Sequence, residues 1–233
     1  PSWLDLLCIS GRVTWGRYSS LPLSKTVPGN EGKNSRRKPG PVKSTPINLI
    51  QRKNLDIWQS LAAGTEADIE LSSDASLIIK ALKDKGPSFF LDLVQQCGLI
   101  KTQVENALAE LTSLGLVTSD SYSGIRALLS PVNRKNRSNR NGKRRRTPYE
   151  IEDAGRWTLI EKTLASEDEN KLDDDVLERL VTVYLERWGV ISRKVLEKET
   201  NPPPWRILLL KLRRLELQGR LRGGRFIAGV GGE

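Results

Sequence analysis

The sequence predicts a mainly helical α+β chain made of tandem units, each a few short helices closed by a small β-hairpin. Three observations carry this expectation. The stretch from Pro202 to Ala228 reads as a helix, a glycine stop and a basic hairpin. That glycine, Gly219, recurs 104 residues upstream as Gly115, with the same apolar spacing before it, and 104 residues further up as Gly11. Finally, 233 residues bury two or three small cores as readily as one large one, and a repeat selects the small ones.

In the last unit, Trp205, Leu208, Leu209, Leu212 and Leu215 follow the period of a helix that buries one face. Arg206 and Arg213 fall side by side just off that stripe, and Arg214 lies further round. Pro204 suits the first helical position and Gly219 the left-handed stop. Gly223-Gly224, between Leu221-Arg222 and Arg225-Phe226-Ile227, is the pattern of a two-residue hairpin turn whose central residues both take positive φ. Upstream, Asp173-Asp174-Asp175 suits the start of a helix from Val176 to Trp188. Gly189 to Ile191 fits a short strand and Lys194 to Glu199 a short second helix. Helices followed by a cationic hairpin are the plan of a winged helix, whose recognition helix and wing face nucleic acid. The expected architecture is therefore α+β, mainly helical: tandem winged-helix units with small β-hairpin wings.

Taken in order, Trp3 to Cys8 is the tail of a helix, Val13 to Trp15 a strand, and Pro46 to Ile50 its returning partner. Asn54 to Leu61 is a helix leading into the first complete unit. That unit has a helix from Ser73 to Gly86, a second segment from Phe89 to Cys97, a third helix from Thr102 to Leu114 and a hairpin from Leu116 to Leu129. The segment after Gly155-Arg156-Trp157, with Leu159, Ile160 and Leu164, is expected to be helical, and 167–175 an acidic turn. The repeat supports these bounds: Leu208, Leu212 and Leu215 minus 104 give Val104, Leu108 and Leu111, and Leu185, Gly189 and Leu196 minus 103 give Leu82, Gly86 and Leu93. The expected domains are a partial unit at 1–61 with a long basic loop at 21–44, a first winged helix at 73–130, a basic linker at 131–150, and a second winged helix at 151–233.

Lys+Arg of 38 against Asp+Glu of 28 leaves +10, placed unevenly. Asn133 to Arg146 holds eight basic residues and no acid, and Lys25 to Lys43 holds six against Glu31, so those two stretches carry +13 and the remainder about −3. Stretches of this kind seek polyanions. The candidate DNA contacts are Arg206, Arg213, Arg214, Arg222 and Arg225 in the last unit, with Arg144, Arg145 and Arg146 of the linker. In the first complete unit they are Lys101, Thr102 and Gln103 at the helix start and Arg126 on the hairpin, where Tyr122 offers a stacking face. Glu105 and Glu110 oppose phosphate there, so that unit reads equally well as a protein-contact surface.

The chain has no histidine and two cysteines, Cys8 and Cys97, which excludes Ser-His-Asp and Cys-His nucleophile systems and the usual structural zinc sites. Gly32-Lys33-Asn34 lacks the upstream glycine and the Ser/Thr of a phosphate-binding loop. No catalytic or metal-ligating residue is expected, and no run reaches the 18 apolar residues of a membrane span. Two separate apolar-flanked thiols fit a reducing compartment.

Several strings resemble the C-terminal part of the bacterial large helicase-related (Lhr) family of superfamily-two DNA helicases. They are WLDLLCISGRVTWGR, the run from Gly86 to Leu129 with FFLDLV, GLIKTQVENALAEL and GLVTSDSYSGIRALL, the short GRW, and PPWRILLLKLRRLELQGRLRGGRFIAG. The resemblance implies an accessory region of a cytoplasmic, ATP-dependent helicase of DNA repair, whose motor domains precede residue 1 and hold the ATP and Mg. It implies DNA as the partner, single-stranded or at a junction, and no ATPase activity in this chain alone. Two other readings stand beside it: a scaffold for protein interaction or self-association, and part of a winged-helix DNA glycosylase.

Overall fold

The computed structural model describes residues 2–18, 46–62, 71–129, 150–161, 173–199 and 201–225. The basic stretches at 21–44 and 131–149, the acidic turn at 167–172, Leu164 and the expected return strand Phe226-Ile227 lie outside them. In chain order the elements are α1 Ser2–Ile9, β1 Val13–Gly16, β2 Asn48–Gln51, α2 Leu55–Ala62, α3 Ser73–Lys85, β3 Ser88–Phe89, α4 Phe90–Cys97 and α5 Lys101–Ser113. Then come β4 Val117–Ser119, α6 Ser123–Leu129, β5 Arg156–Leu159, α7 Asp174–Trp188, α8 Arg193–Leu196 and α9 Trp205–Leu217. They form two compact units: unit 1 is Pro1–Lys53 with Glu66–Glu161, and unit 2 is Asn54–Thr65 with Lys162–Glu233.

The repeat is realised in the backbone. Gly11, Gly115 and Gly219 have φ of 73°, 69° and 72°. Each ends its helix with the same two bonds, from the glycine amide to the carbonyl three residues back and from the next amide to the carbonyl five back: Gly11 to Cys8 and Arg12 to Leu7, Gly115 to Thr112 and Leu116 to Leu111, Gly219 to Glu216 and Arg220 to Leu215. The helices they end, α5 and α9, are offset by 104 at both ends. Gly86 and Gly189, at φ 78° and 74°, each donate to the carbonyl four residues back, ending α3 and α7 alike.

In unit 1, α3 starts at Ser72, whose hydroxyl accepts the Ala75 amide at 3.2 Å. Ala75, Ile78 and Leu82 of α3 meet Phe90 and Leu93 of α4 and Val104, Ala107, Leu108 and Leu111 of α5 in one buried cluster. Leu4, Cys8 and Trp15 join that cluster, so the expected partial unit shares its core with the first complete one. β1 pairs antiparallel with β2, from Val13↔Gln51 to Gly16↔Asn48, as the sequence led us to expect. The second sheet has the order β3-β5-β4, with Ser88 and Ser119 both opposite Trp157.

Here three expectations are corrected. Leu116 to Leu129 is not a hairpin: β4 is succeeded by α6, whose Ile125, Leu128 and Leu129 have helical rather than alternating spacing. Its start is held by Ser121, whose hydroxyl accepts the Ser123 amide at 3.0 Å. The segment after Gly155 is a strand and not a helix, because Trp157 is fully buried between β3 and β4 and Gly155, at φ 76°, breaks it from the preceding turn. The true wing of this unit is therefore β4 with β5, and residues 150–161 complete unit 1 instead of opening the last domain. The basic stretch at 131–149 is an insertion between paired wing strands, as 21–44 is between β1 and β2.

Unit 2 packs α7 against α9 and against α2, which belongs here and not to the unit it was expected to lead into. Asn201 Nδ2 donates to the Leu61 carbonyl at 2.5 Å, and Arg179 pairs with Asp56. Asp173 caps α7 by accepting the Asp175 amide at 3.3 Å. Residues 189–191 form no strand, and neither Gly223 nor Gly224 has positive φ, so the expected two-residue turn is absent among the described residues.

The glycine stops differ in one testable respect. A Cβ on Gly115 would lie 2.5 Å from the Arg17 carbonyl oxygen, whereas one on Gly11 meets nothing within 4 Å. Gly11→Ala is expected to cost only the left-handed backbone term of about 1–2 kcal/mol. Gly115→Ala adds an overpacking term of about 1–3 kcal/mol, read as a larger fall in the urea midpoint.

Candidate nucleic-acid interface

The candidate site is built on α9. Leu208, Lys211 and Leu215 are buried, and Arg206, Arg213 and Arg214 are exposed. The chain leaving Gly219 folds back along the helix, fixed by the Gly223 amide donating to Glu216 Oε1 at 2.9 Å. Between this segment, α9 and the 189–194 stretch lies a groove of about 1090 Å³. Its floor is apolar, with Leu185, Val190, Ile191, Trp205, Leu209 and Leu212. Its rim is cationic, with Arg193, Lys194, Arg213, Arg220 and Arg222, against the acids Glu197 and Glu216.

The cations of α9 and the segment after it divide into two sets. Lys211 is buried against α7, with Nζ 2.9 Å from Asp174 and 2.8 Å from Glu178. Arg214, expected to meet phosphate, lies 3.5 Å from Asp174, and Arg220 pairs with Glu178. Arg206, Arg213, Arg222 and Arg225 are exposed and enter no ion pair among the described residues. The acids on α7 thus neutralise one flank and leave the other cationic. Hydrogen bonds from Lys211 and Arg220 hold the Glu178 carboxyl below the ordinary carboxylate range, and a hydrogen bond from Arg179 does the same for Asp56.

The candidates in unit 1 are placed differently. Arg126 is 14% exposed, 2.6 Å from Asp5, with its guanidinium 4.8 Å from the centre of the Tyr122 ring. Tyr122 in turn meets the buried Trp15 edge-on. Both side chains hold the start of α6 against α1 and β1. Gln103 Oε1 accepts the Ile100 amide at 3.1 Å, capping α5, and Lys101 pairs with Glu152 at 2.6 Å. Glu110 takes the Ser72 amide and hydroxyl at 2.9 and 2.6 Å. Thr102 is exposed. Arg144, Arg145 and Arg146 lie outside the described residues. Arg193 and Lys194 went unmarked in the sequence because they sit on a four-residue helix with no periodicity to read.

Two comparisons bear on this site. Residues 170–233 match the family model described as large helicase-related protein, winged-helix domain. The chain is also similar to the Lhr helicase/uracil glycosylase of Escherichia coli (strain K12), 27% identical over 191 residues, which is 72% of this chain and 12% of that protein. The chain thus spans a small part of the length of that relative.

Arg126→Ala leaves the largely buried Asp5 without its cation and with only the Ser121 hydroxyl, at 3.3 Å, and is expected to cost about 2–4 kcal/mol in thermal or urea unfolding while leaving oligonucleotide affinity within twofold. A depressed carboxyl contributes stability that is present above its unfolded pKa and lost as pH falls through its folded one. Glu178→Gln should therefore flatten the fall in melting temperature below about pH 4.3, the ordinary glutamate value.

Proposed function

We propose, from residues 170–233 being a winged-helix domain of the large helicase-related type, that this chain is the DNA-binding accessory region of an ATP-dependent helicase acting in DNA repair. The observation that carries this reading is the cationic flank: Arg213 and Arg222 line an apolar-floored groove, and Arg206 and Arg225 are exposed on the same helix and on the segment after it, while Lys211 and Arg220 are paired. Exposed guanidinium groups along a groove suit the phosphates of a strand whose bases turn toward apolar walls. Single-stranded or junction DNA is the partner that fits. ATP and Mg would be held by motor domains of the longer protein. A reducing, cytoplasmic setting fits the two free thiols, both raised by burial. No helix among the described residues is long and apolar enough to cross a membrane.

One surface favours a second role. Trp3, Leu6 and Ile9 of α1 are 59%, 66% and 65% exposed on adjacent turns. At the 104-residue offset Trp3 corresponds to Ala107 and Lys211, both buried where a preceding helix packs on α5 or α9. Unit 1 would by this account meet protein, in another segment of the longer protein or in a second copy, as the mass measured by light scattering against concentration would report.

The primary reading is tested by salt. Four phosphate contacts on a single strand give a slope of log K against log salt near −3, about 0.7 for each. Arg222→Glu with Arg225→Glu should weaken binding to a labelled oligonucleotide at low salt and reduce that slope by about 1.4. A wild-type slope near zero would overturn the assignment.

A further inference from the structure

Trp188, the last residue of α7, is 37% exposed, yet its ring is fixed in place. Its Nε1 donates to Glu199 Oε1 at 2.6 Å. That carboxylate is 6% exposed and also takes Arg187 Nη1 through both oxygens, at 2.9 and 2.7 Å. Arg187 is itself seated 5.5 Å from the centre of the buried Trp58 ring. The indole edge is thus clamped by a buried acid, and that acid by a stacked arginine. Lys198 holds its ammonium 5.4 Å from the centre of the Trp188 ring.

The repeat supplies an internal control. α3 and α7 end at Gly86 and Gly189 with the same amide-to-carbonyl bond, and α4 and α8 align through Leu93 and Leu196. At that offset of 103, Arg187, Trp188, Lys198 and Glu199 correspond to Asp84, Lys85, Gln95 and Gln96. Unit 1 builds the same helix end with none of the four side chains. The helix end therefore does not require the clamp, and its product is an oriented indole with an ammonium over one of its two faces.

We propose that Trp188 is a stacking platform for one base of a single-stranded nucleic acid, with Lys198 held for the adjacent phosphate. A flat π-face takes any base, and a neighbouring cation tracks the backbone. Arg193 and Lys194, five and six residues on, line the groove beside α9, so a strand leaving the indole meets further cations. The proposal rests on the nucleic-acid reading above and places a second contact within unit 2.

The test uses the full chain and a short oligothymidine carrying one 2-aminopurine, with affinity read by anisotropy and stacking by quenching of the modified base. Trp188→Ala should weaken binding roughly 5- to 100-fold. It should leave the salt slope unchanged, since no charge is removed, and abolish the quenching; Trp188→Phe should retain most of both. In the wild type, an abasic residue moved along the oligonucleotide should cost a similar factor at one position, a readout that survives if the alanine variant fails to fold. Trp188→Ala binding like wild type, or affinity indifferent to every abasic position, overturns the platform. In that case, if Arg222→Glu with Arg225→Glu still weakens binding, the groove assignment stands. A wild-type chain that binds no oligonucleotide overturns both.

Discussion

A helix that ends in a left-handed glycine releases its chain in a direction fixed by two backbone hydrogen bonds, and among the described residues this stop occurs three times, at Gly11, Gly115 and Gly219. After Gly11 and Gly115 the released chain becomes a wing strand, β1 or β4, and after Gly219 it turns back along α9. The direction is set locally, so the chain beyond each stop is free to take a different structure. In unit 1 the two strands stack their wings: Thr118 Oγ1 donates to the Trp15 carbonyl, and Trp15 Nε1 donates to the Ser121 carbonyl at 3.0 Å. In unit 2 the same exit places Arg220, Arg222 and Gly223 along the groove. A residue with a Cβ at these stops would bias the chain toward continuing the helix or leaving elsewhere.

Charge then distinguishes the two units. α5 and α9 are equivalent helices, but the polar residues of α5 are consumed in holding unit 1 together, through Gln103 at its cap, Glu110 at the start of α3 and Lys101 on Glu152. On α9 the acids of α7 draw in Lys211, Arg214 and Arg220. Exposed pairs of this kind contribute little to stability, and Lys211 is the exception because it is buried and lies between two carboxylates. The consequence is geometric: Lys211, Arg214 and Arg220 are paired with acids of α7, while Arg213 and Arg222 line the groove and enter no ion pair among the described residues.

Much of this was legible because it is periodic. The helices, the glycine stops and the β1–β2 pair follow from apolar spacing of 3.6 or 2 and from residues that tolerate positive φ. The β4–β5 wing was hidden because its strands are separated by a helix and a polar insertion, and four residues such as Arg156 to Leu159 carry too little pattern to tell strand from helix. The pairing of Arg126 was not legible because its partner, Asp5, is 121 residues away. The clamp on Trp188 was missed for a different reason: Glu199 reads as one more solvated acid until the fold buries it.

The insertions explain how two highly basic stretches can be carried without loss of either wing. Thirty-one residues lie between the paired Gly16 and Asn48, and 37 between the paired Ser119 and Trp157. Between β1 and β2, lengthening a hairpin loop from two residues to about thirty is four doublings, a closure cost of about 2.4 kcal/mol, and between β4 and β5 the cost is smaller because α6 and residues 151–154 are themselves packed in the core. Burying one tryptophan contributes roughly 4–6 kcal/mol as an upper value, and each wing carries one at zero exposure, Trp15 on β1 and Trp157 on β5. The aromatic anchor therefore outweighs the loop, and the strands are paired across long polar insertions. Charge can accordingly vary in the insertions without disturbing the core, and in this sequence +5 lies between Lys25 and Lys43 and +8 between Asn133 and Arg146, each bracketed by a wing that the core holds closed.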